Sequence, residues 1–126
     1  MHKKSHELKK IARERIRKRI RIKISGTAER PRVHVFKSNR FIYLQAVDDV
    51  NGKVLATASS HEKEFRAKDK NKNVKNLKAS QLLGEMMAKR LKDMKLDKIV
   101  FDRGIYPYHG RVKAVAEGIR KGGLVF

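Results

Sequence analysis

Residues 101–115, FDRGIYPYHGRVKAV, set an aspartate, two tyrosines, a histidine and two arginines where a short apolar run passes into a helical pattern. Three kinds of chemistry could use such a set. The first is metal-assisted phosphodiester cleavage, for which Asp102, Asp48, Asp49 and Glu85 would have to converge on two magnesium ions. Neighbouring strands must deliver those carboxylates, yet RVHVFK, the first strand expected, carries none. Asp48 and Asp49 stand where a hairpin turn favours aspartate, and Asp102 ahead of Arg103 and Gly104 fits a turn opening or a local salt bridge. The second is nucleophilic catalysis by Ser59, Ser60 and His61, but no Gly-x-Ser-x-Gly elbow is present, and adjacency in sequence does not hand a nucleophile its base. His61 then reads as a loop residue and His34, inside a strand, as a satisfied sheet residue. No Walker-type or GxGxxG loop exists to cradle a nucleotide. No catalytic residue, metal site, cofactor or small-molecule substrate is therefore expected.

The third is binding without reaction. Gly110 and Arg111 open the last helix, whose first backbone N–H groups lack intrahelical partners and, with the positive end of the helix dipole, suit a phosphate. Arg103, His109, Arg111 and Lys113 would add side-chain donors around it. Tyr106 and Tyr108 flank a stiffening proline, so either ring could stack on an unpaired base, and one of the two is expected instead to cover the edge of the core. KSNRFIYLQ (Lys37 to Gln45) has the same character: Ser38, Asn39 and Arg40 form a polar hairpin tip leading to Tyr43 and Gln45 on one strand face. If that face is uncovered it is a platform of RNA size.

The elements that must position these groups follow from periodicity. Residues 1–24 carry Lys3, Lys4, Lys9, Lys10, Arg13, Arg15, Arg17, Lys18, Arg19, Arg21 and Lys23 against Glu7 and Glu14, a net +9 on a fifth of the chain. Leu8, Ala12, Ile16 and Ile20 recur every four residues as a narrow apolar stripe, and then Ile20, Ile22 and Ile24 alternate like a strand. So thin a stripe does not offset the entropy of ordering, which predicts a basic arm, partly helical and partly disordered until it binds. SGTAERP, residues 25–31, reads as a hinge because Gly26 and Pro31 interrupt regular structure. Residues 32–126 form the globular domain. Strands are expected at Arg32 to Lys37, Phe41 to Asp48 and Lys53 to Ser59, the last pair joined through the hairpin signal Asn51-Gly52. His61 to Asn73 is a charged loop without period. Leu77, Leu83, Met87 and Leu91 line a helix in which Ser80, Gly84 and Ala88 would let its axis lie close to a sheet, and Met86 and Met87 belong to the core. A short strand at Lys98 to Phe101 precedes a final helix with Val112, Val115, Ala116 and Ile119 on one face, ended by Gly122 and Gly123. Leu124 to Phe126 pack back onto the domain. The order is arm, βββ, α, β, α, a small α/β sandwich whose mixed sheet is an antiparallel meander plus one parallel strand reached by a right-handed crossover.

The whole chain, 126 residues, is basic to the same end: 33 Lys and Arg against 13 Asp and Glu leave +20. Such a field attracts a polyanion, usually nucleic acid. No apolar run nears the roughly 18 residues of a spanning helix, no apolar stretch follows the N-terminal charges, and the absence of cysteine fits a reducing, cytoplasmic setting. With no DNA-recognition helix evident, arm and patches together point to broad contact with structured RNA. A magnesium-dependent nuclease and a generic nucleic-acid chaperone are the two other classes to be set against it.

RPRVHVFKSNRFIYLQAVDD, LATASS, LLGEMMAKR and FDRGIYPYHGRVKAVAEGIRKGGLVF closely resemble the bacterial large-subunit ribosomal protein eighteen family, over nearly the whole chain. The DRG-x-Y-x-Y-H-G-RV block carries the specificity. That resemblance implies an α/β fold related to the ribonuclease H-like architecture without its nuclease activity. It also implies binding to 5S ribosomal RNA, help in attaching it to 23S RNA in the central protuberance, and neighbours such as large-subunit protein five. By resemblance Ser38, Asn39, Arg40, Tyr43 and Gln45, with Tyr108, His109, Gly110 and Arg111, contact 5S RNA. The arm contributes through its charge alone.

Overall fold

In RVHVFK alternate residues are apolar, and the strand they form, β1 (Arg32–Lys37), buries Val33 and Val35 completely while His34 and Phe36 face the other way. The computed structural model describes residues 2–38, 40–68 and 77–126. Strand β2 (Ile42–Asp48) repeats the alternation, with Ile42, Leu44 and Ala46 buried and Tyr43 and Gln45 exposed. Its pairing with β1 is antiparallel, His34 level with Gln45 and Phe36 level with Tyr43. Strand β3 (Lys53–Ser59) pairs antiparallel with β2, with a shift of register between Ala46 and Val47. Asp48 closes the turn between them by accepting hydrogen bonds from the Val50 N–H at 3.1 Å and the Asn51 side-chain amide at 2.7 Å, and Gly52 takes φ of 65°.

Strand β4 (Val100–Asp102) lies parallel to β1 on its other side, giving the order β3-β2-β1-β4. A meander plus one parallel strand is thus the sheet that the residue pattern predicts. Two long helices, α3 (Leu77–Asp93) and α4 (Arg111–Lys121), cover one face of it. Leu83, Met87, Leu91, Val112, Val115 and Ile119 are wholly or almost wholly buried against the inward residues of β1 and β2. Each such side chain contributes about 1.5–3 kcal/mol over its exposed state. Among the described residues no helix covers the opposite face of the sheet.

Several elements depart from expectation. Phe41 lies outside β2, because its backbone closes the preceding turn with Ser38: Ser38 N–H donates to the Phe41 carbonyl at 2.8 Å. The charged stretch after β3 contains a short helix, α2 (Lys63–Lys68), anchored by the fully buried Phe65 and by Arg90, which pairs with Glu62 at 2.6 Å and Glu64 at 3.0 Å. The rest of the expected loop lies outside the described residues. The small residues of α3 face α4 and not the sheet: a Cβ on Gly84 would meet the Val115 carbonyl and, at 2.9 Å, the Ile119 nitrogen. β4 begins at Val100, two residues later than predicted, while Lys98 instead bridges Val125.

The basic segment is one helix, α1 (His2–Lys23), which continues through the stretch whose isoleucines alternate like a strand. Three alternating residues fit a helix as readily as a strand when arginine and lysine, both good helix formers, fill the gaps. Leu8, Ile11, Ala12 and Ile16 remain exposed, so the described part of its stripe adds nothing to the core. Gly26 fastens the following segment: its N–H donates to Asp49 at 2.7 Å, and its carbonyl accepts from the Asp49 N–H at 3.0 Å. Among the described residues no helix is long and apolar enough to cross a membrane.

Candidate nucleic-acid interface

Period two along β1 and β2 puts His34, Phe36, Tyr43 and Gln45 together on the uncovered sheet face, where they line a depression of about 420 Å³. Phe36 and Tyr43 lie side by side with ring centres 6.1 Å apart, and Phe36 is 48% exposed. Tyr43 and Gln45 were identified from their own strand alone. Phe36 was missed, although the antiparallel register that follows from a tight Ser38–Arg40 turn places it beside Tyr43.

The hairpin tip and the segment at the start of α4, joined by contacts 69 and 73 positions apart in sequence, form one surface. Tyr106 fastens them: its hydroxyl accepts from the Lys37 N–H at 3.2 Å and donates to the Lys37 carbonyl at 3.3 Å, with the Lys37 ammonium 5.1 Å from its ring centre. Arg111 adds a hydrogen bond to the Ser38 carbonyl at 3.5 Å. Arg40 is exposed at the tip, and Asn39 lies outside the described residues. Tyr106 is therefore committed to the protein and packs on the core edge. Tyr108 is 42% exposed and touches only an edge of Phe101 among the aromatic rings described, at 6.5 Å between centres. One ring of the pair covers the core and one is open to solvent.

Helix α4 starts on Gly110, whose φ of 59° ends the preceding turn, and no side chain caps the helix. His109 and Lys113 are exposed beside it, and the Arg103 side chain donates to the Tyr106 carbonyl. One guanidinium nitrogen of Arg111, Nη1, is buried without a partner. A positive helix end and four cationic or ionisable side chains thus surround a start without a cap, an arrangement able to hold an anion. Lys9, Lys10, Arg13, Arg15, Lys18 and Arg19 are exposed along α1, Arg17 is half-buried, and the side chains of Lys3 and Lys4 lie outside the described residues.

Beneath this surface the carboxylates are otherwise engaged. Arg32 binds Asp49 through two contacts of 2.9 and 3.1 Å and Asp102 at 2.7 Å. Asp102 also accepts from the Gly104 N–H at 2.8 Å and lies 3.4 Å from His34 Nδ1. Burial works to raise the Asp102 pKa, but His34, the Gly104 N–H and Arg32 together outweigh it and hold the carboxyl at about 2. Asp102 thus opens a turn through Gly104, one of the two roles the sequence suggested, and its salt bridge is with Arg32 of the neighbouring strand and not a local one. Asp48 serves the β2–β3 turn. Ser60 Oγ accepts from the Ile42 N–H, Ser59 Oγ accepts from the His61 N–H, and the His61 ring packs edge-on against Phe41 at 4.6 Å, so these side chains hold the fold together.

The family model described as ribosomal L18 of archaea, bacteria, mitochondria and chloroplast matches residues 7–126. The chain belongs to the ribosomal L18 family. Large ribosomal subunit protein uL18 of Dictyoglomus thermophilum is 51% identical over 120 residues, covering 95% of this chain and 93% of its own. The uL18 proteins of Clostridium beijerinckii and Bacillus cereus are 48% and 46% identical over 118 residues, each covering 94% of this chain and 95% of its own. Membership makes the chain a structural, non-enzymatic component of the large ribosomal subunit, with ribosomal RNA and ribosomal proteins as its partners. The sealed carboxylates of this L18-family domain fit that role.

Proposed function

We propose that the protein binds 5S ribosomal RNA and helps attach it to 23S RNA in the central protuberance, beside large-subunit protein five. The observation that carries this reading is the continuity of the hairpin tip with the segment before α4, stitched by Tyr106 to Lys37 and by Arg111 to Ser38. One continuous surface of this extent recognises a folded RNA by shape, with phosphate contacts setting register and exposed rings or amides meeting unpaired bases. On the domain the RNA-binding surface is built by Ser38, Asn39, Arg40, Tyr43 and Gln45 with Arg103, Tyr106, Tyr108, His109, Gly110, Arg111 and Lys113. Tyr106 acts by holding Lys37 in place, and Phe36 extends the platform. Residues 1–24 act as the basic arm, 25–31 as its joint and 32–126 as the RNA-binding domain. The order βββαβ with the last strand parallel to the first supports kinship with the ribonuclease H-like architecture.

Competition at roughly 150 mM salt tests the proposal, because charge-driven nonspecific binding weakens there. Labelled 5S RNA should be displaced by unlabelled 5S RNA at far lower concentration than by another folded RNA of equal length. Equal displacement by both would replace the proposal with a generic nucleic-acid chaperone.

A further inference from the structure

One cleft reaches beyond the contacts above, sharing only Arg103 and Tyr108 with the proposed RNA surface. Phe101, Arg103, Tyr108, Arg120 and Phe126, with Ile24 at the base of the arm, line a space of about 320 Å³, at the small end of ligand-sized clefts. Its walls are ordered against one another. Phe101 and Phe126 stack with ring centres 5.5 Å apart at 27°, and the Arg120 guanidinium lies 4.2 Å from the centre of Phe126. The Lys98–Val125 bridge and the hydrogen bond from Ile99 N–H to the Val125 carbonyl hold this end of the chain along the strand that carries Phe101.

The chemistry of the cleft is graded from inside to outside. Asp102 closes its inner end, and that carboxylate is occupied by Arg32 and the Gly104 N–H. An anion is repelled from there. At the mouth Arg103 and Arg120 are exposed, and among the described residues neither is paired with a carboxylate. The walls between are aromatic. A flat neutral ring fits the interior, and a phosphate attached to it fits the mouth, where guanidinium groups offer both charge and a stacking plane. An apolar protein side chain would fill the walls and leave both arginines without a counterion.

We infer that this cleft receives one unpaired nucleotide of ribosomal RNA, its base against Tyr108 and the Arg120–Phe126 wall and its phosphate between Arg103 and Arg120. Position favours the same occupant: an RNA held by both the arm and the α4 start passes over the cleft, which lies between Ile24 and Tyr108. The inference rests on the RNA-binding reading and adds to it a site, with Phe101, Arg120 and Phe126 as members.

Full-length protein, Tyr108→Leu and Arg120→Gln are to be titrated separately against 5S and 23S transcripts, with thermal melts as the check on folding. Arg120 is exposed at the end of α4, so its variant keeps the fold even if the tyrosine variant does not. Each variant should weaken binding to one of the two RNAs by about tenfold, the range of a single base stack. Tyr108→Leu should leave the salt dependence unchanged, since stacking releases no counterion, while Arg120→Gln should reduce its slope by about one. Ultraviolet irradiation of the wild-type complex should attach a nucleotide to the peptide ending in Phe126 or the one bearing Tyr108. If both variants bind both RNAs like wild type while glutamine substitutions in the arm weaken binding, the cleft inference fails and the RNA-binding reading stands. If the wild-type protein binds neither RNA, the reading itself fails.

Discussion

On β1 the residue level with Asp102 is His34, and the next residue along that same face is Arg32, so an imidazole and a guanidinium stand where a two-metal nuclease needs a second carboxylate. That substitution of charge is what turns Asp102 from a candidate catalyst into a structural anion. Its folded-state pKa of about 2 lies below its unfolded value, so its contribution is complete above about pH 4 and is lost as pH falls through 2. The depression corresponds to about 2 kcal/mol. Asp102→Asn should therefore unfold at lower urea than wild type at pH 7, by about 2–3 kcal/mol, because the buried Arg32 loses its one buried carboxylate partner and keeps only the more exposed Asp49. The gap should close between pH 4 and pH 2; a constant gap across that range would show that the ion pair is not its source. The lack of a carboxylate in β1 was legible in six residues. The Arg32–Asp102 bond was not, because its partners are 70 positions apart and Arg103, adjacent to Asp102, offered a nearer but unused cation.

At the scale of elements, the two helices meet through glycine. Gly84 of α3 lies on the backbone of α4, and Gly118 of α4 lies on Gln81 of α3, where an added Cβ would meet the carbonyl oxygen and come within 2.9 Å of its carbon. In an exposed helix Gly→Ala stabilises by roughly 0.5–1 kcal/mol. Here the sign should invert: Gly84→Ala and Gly118→Ala should each cost about 1–3 kcal/mol, since the opposing atoms are backbone and cannot rotate away. Thermal melts of the two variants, with exposed Lys89→Ala for comparison, measure this; a raised melting temperature for either glycine variant would contradict the close crossing. The spacing of Ser80, Gly84 and Ala88 made a close approach legible but not its partner, because small residues every four positions mark a flat helix face and carry no label for what lies on it. The first three strands were readable nearly to the residue, as an alternation of two over six or seven residues has few competing interpretations, whereas the three residues of β4 show too little of it to fix their bounds. Helix α2 escaped notice because Phe65 is the one buried apolar group among its described side chains, and a single anchor has no period.

For the molecule as a whole, charge and shape sit on different parts of the chain. Residues 1–24 hold +9 of the +20, on a helix whose described side chains are almost all exposed, while the rings, the stitched surface and the α4 start belong to the domain. Cations that replace condensed counterions along phosphates give affinity that falls with salt, and they do so for any RNA. Shape, stacking and fixed donors discriminate between RNAs and respond weakly to salt. The two contributions should therefore separate experimentally. If the arm makes about six phosphate contacts, log K for 5S RNA should fall with log salt at a slope near −5, and deleting residues 1–24 should flatten it markedly. A full-length variant with Arg13, Arg15, Arg17 and Lys18 changed to glutamine should lose about four of those contacts and flatten the slope in proportion, without altering the folded domain. Both proteins should bind more weakly at every salt concentration yet keep their preference for 5S RNA over a competitor of equal length, because residues 25–126 retain +11 and the whole recognition surface. A slope that does not change on deletion would assign the salt-dependent contacts to the domain. A preference that disappears with the arm would mean that the arm, and not the stitched surface, reads the RNA.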